Sequence, residues 1–557
     1  MTNSPEMVFT IYALSKLGAV PALINSALRG MRIRALAPRD HFEETDADIS
    51  SPDDTLIHCV KLPQAKLIIS TPDLAPFAAT AAQSLDGALQ TVSLNLGSFR
   101  TLPTSPMPAN IVECPLPDPT KANSIIPPPR AISDVGALIY TSGTTGKPKA
   151  CSVKNAMICA TSCATASDTS DPKKYFPVRT YSCMPLFHGT TFFIGLCYSV
   201  GNSGCFCMAR KFSARNFWKD VTESRATRIL YVGELCRYLL ATPPGEYDRQ
   251  HRCMVAAGNG MQKDVWMAFK QRFAIPEVRE FYRSTEGLVK FDHRHVGNAS
   301  GAGKVAFIGV LKRRLEADQF IVKFDYDNEM PYRDPKTGFC VLASLDEPGE
   351  AISKIKTMAT YTDYHGNKKA TEAKILRDVF EKGDVYQRSG DLLAQERSGW
   401  VHFVDRIGDT FRWKGENVSA GEIRAFISDL PHVQDAVVVG KQLKGYDGQA
   451  GVAAVSLDVT SADVEVQFIK GLYENLKRKG VPAYAFPRLI AVTNELVAVG
   501  DTFKHAKQVV KGIDWKPNTD GKEAANGRRY WLDIDAGAYR LLDARSWERI
   551  ERGLAKL

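Results

Sequence analysis

The chain has no run of the roughly eighteen apolar residues that a membrane-spanning helix needs. Its best candidate, Thr191 to Ala209, is broken by Gly195, Gly201, Asn202, Ser203 and Gly204. The opening stretch, Met1 to Val20, lacks a basic segment followed by an apolar block and so does not resemble a signal peptide. CxxC pairs are absent as well. The twelve cysteines lie between Cys59 and Cys340, Cys205 and Cys207 flank a single residue, and no matching His/Cys cluster accompanies them. That argues against a zinc site and for free thiols in a reducing compartment. Charge of one sign is also scarce: 71 Lys and Arg against 62 Asp and Glu leave +9 over 557 residues. The excess is too dilute for a nucleic-acid stripe, although it suits anionic small molecules or a weak contact with an acidic membrane surface. With 44% hydrophobic and 24% charged residues, the expectation is a soluble globular protein of two to four domains, or a large enzyme body with an appendage.

Along the chain, Pro5 to Asn25 reads as an amphipathic helix closed by Gly18 and followed by a buried strand, Ala19 to Ile24. Residues 31–54 are charged, proline-containing and without periodicity, and are expected to be a surface insertion or an unspliced segment. Leu56 to Thr71 returns to a helix and a strand. Residues 102–130 carry nine of the thirty prolines, which excludes a helix or central strand and implies a surface connection. From Val135 to about residue 400, strands such as Arg228 to Val232 alternate with helical stretches such as Lys263 to Arg272, so α/β layers with a largely parallel sheet are expected. Near Asp405 the pattern changes. Ser419-Ala-Gly-Glu422 is a capping box opening a helix through Leu430. Strand-like runs at Ala436 to Val439 and Gly451 to Val459, a helix from Ala462 to Leu476, a strand from Arg488 to Thr493 and a basic tail complete a small α+β unit. There is no internal repeat.

The most specific feature is Tyr140-Thr-Ser-Gly-Thr-Thr-Gly-Lys-Pro-Lys149 at the end of a strand. Glycines let backbone N–H groups approach a polyphosphate, hydroxyls donate to it, and lysines neutralise it. It is not a Walker loop, because Thr141 stands where the first glycine must be and Pro148 where a Ser or Thr must follow the lysine.

That loop resembles the phosphate-binding signature of the adenylate-forming superfamily, which includes acyl-CoA synthetases and luciferases. Later segments fall in the family's order: Pro185-Leu-Phe-His-Gly189, Ala257-Gly-Asn-Gly260, Phe281-Tyr-Arg-Ser-Thr-Glu286, Ser389-Gly-Asp391 and Asp405-Arg406. Within the superfamily, Tyr231-Val-Gly-Glu-Leu-Cys-Arg-Tyr238 and the run from Gly408 to Ser419 are similar to the fatty acid transport proteins, members of which double as very-long-chain acyl-CoA synthetases. The resemblance implies an α/β fold, with a large multi-layer N-terminal AMP-binding domain over residues 1–404 and a small mobile α+β C-terminal domain over 405–557.

It also implies ATP-dependent ligation of a long- or very-long-chain fatty acid to coenzyme A through an acyl-AMP intermediate. Alternatives kept open are a ligase for a specialised-metabolism acid and a fatty-acid uptake or lipid-binding protein. Site residues carried over are Thr141, Ser142, Gly143, Thr144, Thr145, Gly146, Lys147 and Lys149 for the phosphates, and Gly258, Asn259, Gly260 and Tyr282 for the adenine. Asp391 and Arg406 are carried over for the ribose, Glu286 for Mg²⁺, and Thr285, Glu286 and Lys504 for catalysis. His188 is read as shaping a pocket, and Trp413 as structural or in contact with CoA. The implied partners are the acid, ATP and CoA, with no nucleic acid and at most a peripheral membrane contact. Three departures stand out. Arg283 takes the place of the glycine after the family's aromatic, the chain starts inside a region the family usually precedes with further sequence, and residues 31–54 interrupt a segment the family runs through almost without a break. The ending Ala555-Lys556-Leu557 resembles a peroxisomal tripeptide, so a peroxisomal, otherwise cytoplasmic, address is expected.

Overall fold

The computed structural model describes residues 3–25, 54–85, 89–93, 129–141, 148–163, 177–297, 300–326, 328–414, 416–457, 462–493, 507–517 and 527–557. Most of the expected insertion at 31–54 and of the proline-rich connection at 102–130 falls outside these residues. Ser4 caps the first helix, Pro5–Lys16, by accepting from the Met7 amide, and Gly18 follows it at φ +79°. The chain then enters the short strand Ala22–Leu23, which pairs in parallel with Val135–Thr141. Val135–Thr141 in turn pairs antiparallel with Lys149–Lys154. Beside this sheet lies a cavity of about 700 Å³, lined by apolar residues such as Ile11, Leu14, Val60, Phe77 and Leu138, with His365 on its wall.

The central sheet runs Phe291–His295, Glu277–Tyr282, Val255–Asn259, Arg228–Val232, Arg179–Ser182, Cys205–Met208. All neighbours are parallel except the Phe291–His295 edge. Helices Phe217–Glu223, Gly233–Ala241 and Lys263–Arg272 cover it, burying Trp218, Trp266, Phe269 and Phe273. The alternation expected up to residue 400 therefore holds only over this part. Residues 306–406 form an antiparallel sheet instead, running Ala306–Phe307, Trp400–Arg406, Val385–Gln395, Gly349–Lys354, Gln319–Asp325, Met330–Pro331. Parallel neighbours need long crossovers, usually helical. The α-helices in this stretch, Val310–Leu315 and Lys368–Glu372, are single turns too short to cover a sheet.

A further core runs from Phe411 to Leu557. Its five-stranded sheet is ordered Val433–Gln442, Gln449–Leu457, Leu489–Thr493, Arg528–Asp533, Ala538–Leu541. Helices Ala420–Ser428, Ala462–Arg478 and Ala544–Glu551 accompany it. Ser419 caps its helix as expected, its Oγ accepting from the Glu422 amide at 3.1 Å. The expected basic tail is corrected: Arg528–Asp533 buries Tyr530, Trp531 and Leu532 as an integral strand, its cations lying outside that apolar stretch. Ala555 and Leu557 are also buried. Tyr446 Oη donates to the Ala555 carbonyl at 2.8 Å and Lys414 Nζ to that of Leu557 at 2.6 Å. Among the described residues, no helix is long and apolar enough to cross a membrane.

Candidate active site

The glycine- and hydroxyl-rich loop is set between two strands that Thr141 and Lys149 close as a register pair. Ser142, Gly143, Thr144, Thr145, Gly146 and Lys147 lie outside the described residues. The strand leaving the loop is pinned to the segment around Tyr364. Cys151 bridges Tyr364, the His365 amide donates to the Ala150 carbonyl at 2.8 Å, and the Ser152 amide to that of Asp363 at 2.9 Å. This brings the Lys149 ammonium to 5.3 Å from the Tyr364 ring centroid.

Tyr364 in turn donates its hydroxyl to Glu286 Oε1 at 3.0 Å, and Gln387 Nε2 donates to the Glu286 carbonyl at 2.8 Å. Burial and the Glu286 charge both push the Tyr364 phenol well above its ordinary range. Next to Glu286, Thr285 faces Gly189, where an added Cβ would stand 3.1 Å from its hydroxyl. Glycine at 189 thus keeps the Pro185–Gly189 segment close to Thr285. The seven-residue π-helix Thr191–Cys197 follows directly, and such turns are frequent at functional sites.

A second cluster forms where Val385–Gln395 pairs with Trp400–Arg406, placing Asp391 opposite Arg406. The Arg406 guanidinium lies 3.7 Å from Asp391 Oδ1, and the Tyr282 hydroxyl donates to Oδ2. Burial raises the Asp391 carboxyl, while Arg406, Tyr282 and Lys374 oppose the rise. Glu286 acts on the same carboxyl, so both clusters share one electrostatic neighbourhood. The Tyr282 ring lies near Phe291 and Phe403, with centroids at 6.1 Å and 6.4 Å. Arg283 turns aside: its Nη2 sits 2.9 Å from both oxygens of Asp292.

The turn Gly258-Asn-Gly260 ends the neighbouring strand. A Cβ on Gly258 would meet the Tyr231 carbonyl at 2.1 Å, and Gly260 has φ +81°, so both positions require glycine. Beneath the turn, Glu280 accepts from the Gly260 amide and the Tyr231 hydroxyl, and burial pushes its pKa up to about 8. Asn259 Oδ1 is buried with no hydrogen-bond partner among the described residues. Such an orphaned acceptor fits a donor from outside, such as an adenine amino group. No group of three or more His, Cys, Asp or Glu residues placed to hold a metal ion occurs among the described residues. Glu286 alone fits a cation that arrives with phosphate oxygens, as Mg²⁺ does.

Lys504 lies outside the described residues, while the expected hinge is described. Ser419 Oγ and the Gly421 amide donate to Asp405 Oδ2 at 2.7 Å and 3.2 Å, and Lys507 pairs with Asp409 at 2.6 Å. Trp413 is fully buried in the small unit. The residues that sequence reasoning missed are Tyr364, Gln387, Glu280 and Lys374, whose ammonium donates to the Ser389 carbonyl at 2.7 Å. None belongs to a spaced motif. Only Gly390, at φ +80° beside Lys374, could have hinted at the last.

Comparison with known proteins places the chain in a family. Residues 1–317 match the model of the AMP-binding enzyme family. The chain is 32% identical to the very long-chain fatty acid transport protein of Saccharomyces cerevisiae, over 100% of this chain and 78% of that protein. It is 30% identical to isopenicillin N epimerase component 1 of Hapsidospora chrysogena, over 98% of this chain and 79% of that protein. A solved benzoate CoA ligase from Burkholderia xenovorans LB400 shares the fold at TM-score 0.64 and 17% identity, covering 92% of this chain and 88% of that one. The loop, the two carboxylate clusters and these matches together make the chain a member of the AMP-binding enzyme family, related to the fatty acid transport proteins.

Proposed function

We propose that the chain ligates a long- or very-long-chain carboxylic acid to coenzyme A at the expense of ATP. In the first half-reaction a carboxylate oxygen bonds to the α-phosphorus of ATP, the bond to the bridging oxygen breaks, and pyrophosphate leaves. In the second, the CoA sulfur bonds to the acyl carbon, AMP leaves, and the thiol proton goes to solvent. The observation that carries this reading is the convergence of Glu286, Tyr364 and Lys149 with the Tyr282, Asp391 and Arg406 cluster.

Asp391 and Arg406 suit the ribose hydroxyls, and Asn259 offers its carbonyl to the adenine amino group. Glu286, oriented by Tyr364, would hold Mg²⁺, which supplies charge neutralisation to the phosphates. Thr285 and Gly189 border the place for the acid carboxylate, and Lys504 is assigned to neutralise the transition state of the first half-reaction. Little covalent chemistry is asked of the protein, so positioning and neutralisation supply the rate. A hinge at Asp405 to Asp409, dividing residues 1–404 from 405–557, separates the half-reactions.

A second reading, an acid of specialised metabolism, draws support from the relative whose name refers to isopenicillin N. Pyrophosphate release measured across acids of graded length and polarity decides between the two. A response rising to long alkyl chains supports the first reading, and turnover confined to polar acids supports the second. For the cell, the proposed address is the peroxisome. A fluorescent fusion with the native carboxyl end tests it, and diffuse cytosolic signal would refute it.

A further inference from the structure

We infer that the single-turn helix Val310–Leu315 is a docking surface for an anionic lipid bilayer. Val310, Leu311 and Leu315 are 86%, 72% and 74% exposed, more than any other large hydrophobic side chain among the described residues. The helix buries none of its six residues, and the three between these apolar ones are Lys312, Arg313 and Arg314. Among the described residues none of the three cations has an ion-pair partner. The nearest acid, Glu316, turns back to accept from the Asp318 and Gln319 amides at 3.0 Å and 3.2 Å. The turn is also firmly rooted. Ala306–Phe307 pairs with the strand Trp400–Arg406, Ile308 is buried with its amide on the Gly399 carbonyl at 2.7 Å, and Phe307, itself half-exposed, packs edge-on against Trp400 at 4.9 Å.

A fixed turn that holds three apolar side chains and three cations in water is organised for something that takes both. Large apolar side chains exposed together on one short helix mark an interaction site. A protein partner fits poorly, because six residues are far from the area of a stable protein interface. A bilayer with anionic headgroups takes the apolar side chains at its acyl boundary and the cations at its surface, which is how interfacial helices bind. The contact stands on the surface alone, but it deepens the reading above, since a long-chain acid resides in membranes and would be collected there.

The test is co-sedimentation of the full chain with phosphatidylcholine vesicles, with and without phosphatidylserine. Wild type is expected to pellet with the anionic vesicles and to be released by salt. Neutralising Lys312, Arg313 and Arg314 to Gln should lower partition about fivefold per cation removed. The paired change Leu311→Glu with Leu315→Glu should abolish it, with thermal unfolding nearly unchanged because both side chains are largely exposed. Two results overturn the proposal: variants that pellet like wild type, and a wild type indifferent to both vesicles. A third is a wild-type dimer in light scattering that Leu311→Glu dissolves, which would make the occupant a second copy. Pyrophosphate release from a short, water-soluble acid is scored in parallel. Lost lipid binding with turnover intact supports the docking surface. Lipid binding without turnover supports it too, and counts against the ligase reading only.

Discussion

At Glu280 the fold stores a proton. The carboxyl titrates near 8 against an ordinary 4.5 because it is wholly buried beneath the Gly258-Asn-Gly260 turn. A raised folded-state value means the native form binds more protons than the unfolded chain between these limits. The associated stability is therefore complete below pH 4.5 and lost as pH rises through about 8. Thermal unfolding should show a melting temperature falling across this window, and Glu280→Gln, neutral throughout, should flatten the slope; an unchanged slope would remove Glu280 as its source. The orphaned acceptor of Asn259 makes a separate claim. Asn259→Leu should raise the KM for ATP roughly tenfold with kcat nearly kept, the loss of about one buried hydrogen bond; equal KM values would take the side chain out of the nucleotide site. For Glu286→Gln, adenylation should fall by about a hundredfold or more at preserved melting temperature, and normal pyrophosphate release from that variant would move the cation elsewhere.

Elements that depend on near neighbours were readable from the sequence. The first helix and the Gly18 that closes it, the strand into the phosphate loop and the Ser419 cap each follow from spacing within a few residues. The same holds for the site where it is carried by contiguous motifs. Asp391 and Arg406 were named separately and prove to be register partners. Partners fixed only by long-range pairing were not legible. Tyr364 reaches Glu286 because a bridge between Cys151 and Tyr364 ties two distant stretches, and no local period announces that. The antiparallel sheet over 306–406 was misjudged for a related reason: short apolar runs look alike whether a crossover or a hairpin joins them. Lys504 remains an assignment from its motif alone, and half-reactions test it. Lys504→Ala should lose acyl-AMP formation by orders of magnitude yet convert supplied acyl-AMP and CoA at near the normal rate, and equal damage to both steps would sink the role.

Across the whole molecule, the small unit grips the large one through Arg424. Its guanidinium lies 2.5 Å from Glu234 Oε1 on the body and 3.4 Å from Asp435 Oδ1 on its own unit, while Nε donates to the Ala436 carbonyl at 2.7 Å. The network is asymmetric. Arg424→Met takes the shared cation from two largely buried carboxylates and should cost about 3–5 kcal/mol in chemical unfolding. Glu234→Gln leaves Arg424 its Asp435 and keeps an amide oxygen that can still accept, so it should cost less, about 1–2 kcal/mol. Similar losses for both would show that the bridge is merely two independent contacts. Each side also keeps a substitute, since Arg237 lies 3.9 Å from Glu234 on the body's own helix. In the proposed rotation about Asp405 to Asp409, Glu234 and Arg424 would each trade one counterion for another already beside it. An equilibrium built on such an exchange should shift little with ionic strength, leaving the bound nucleotide, rather than the surrounding salt, to decide which arrangement the enzyme holds.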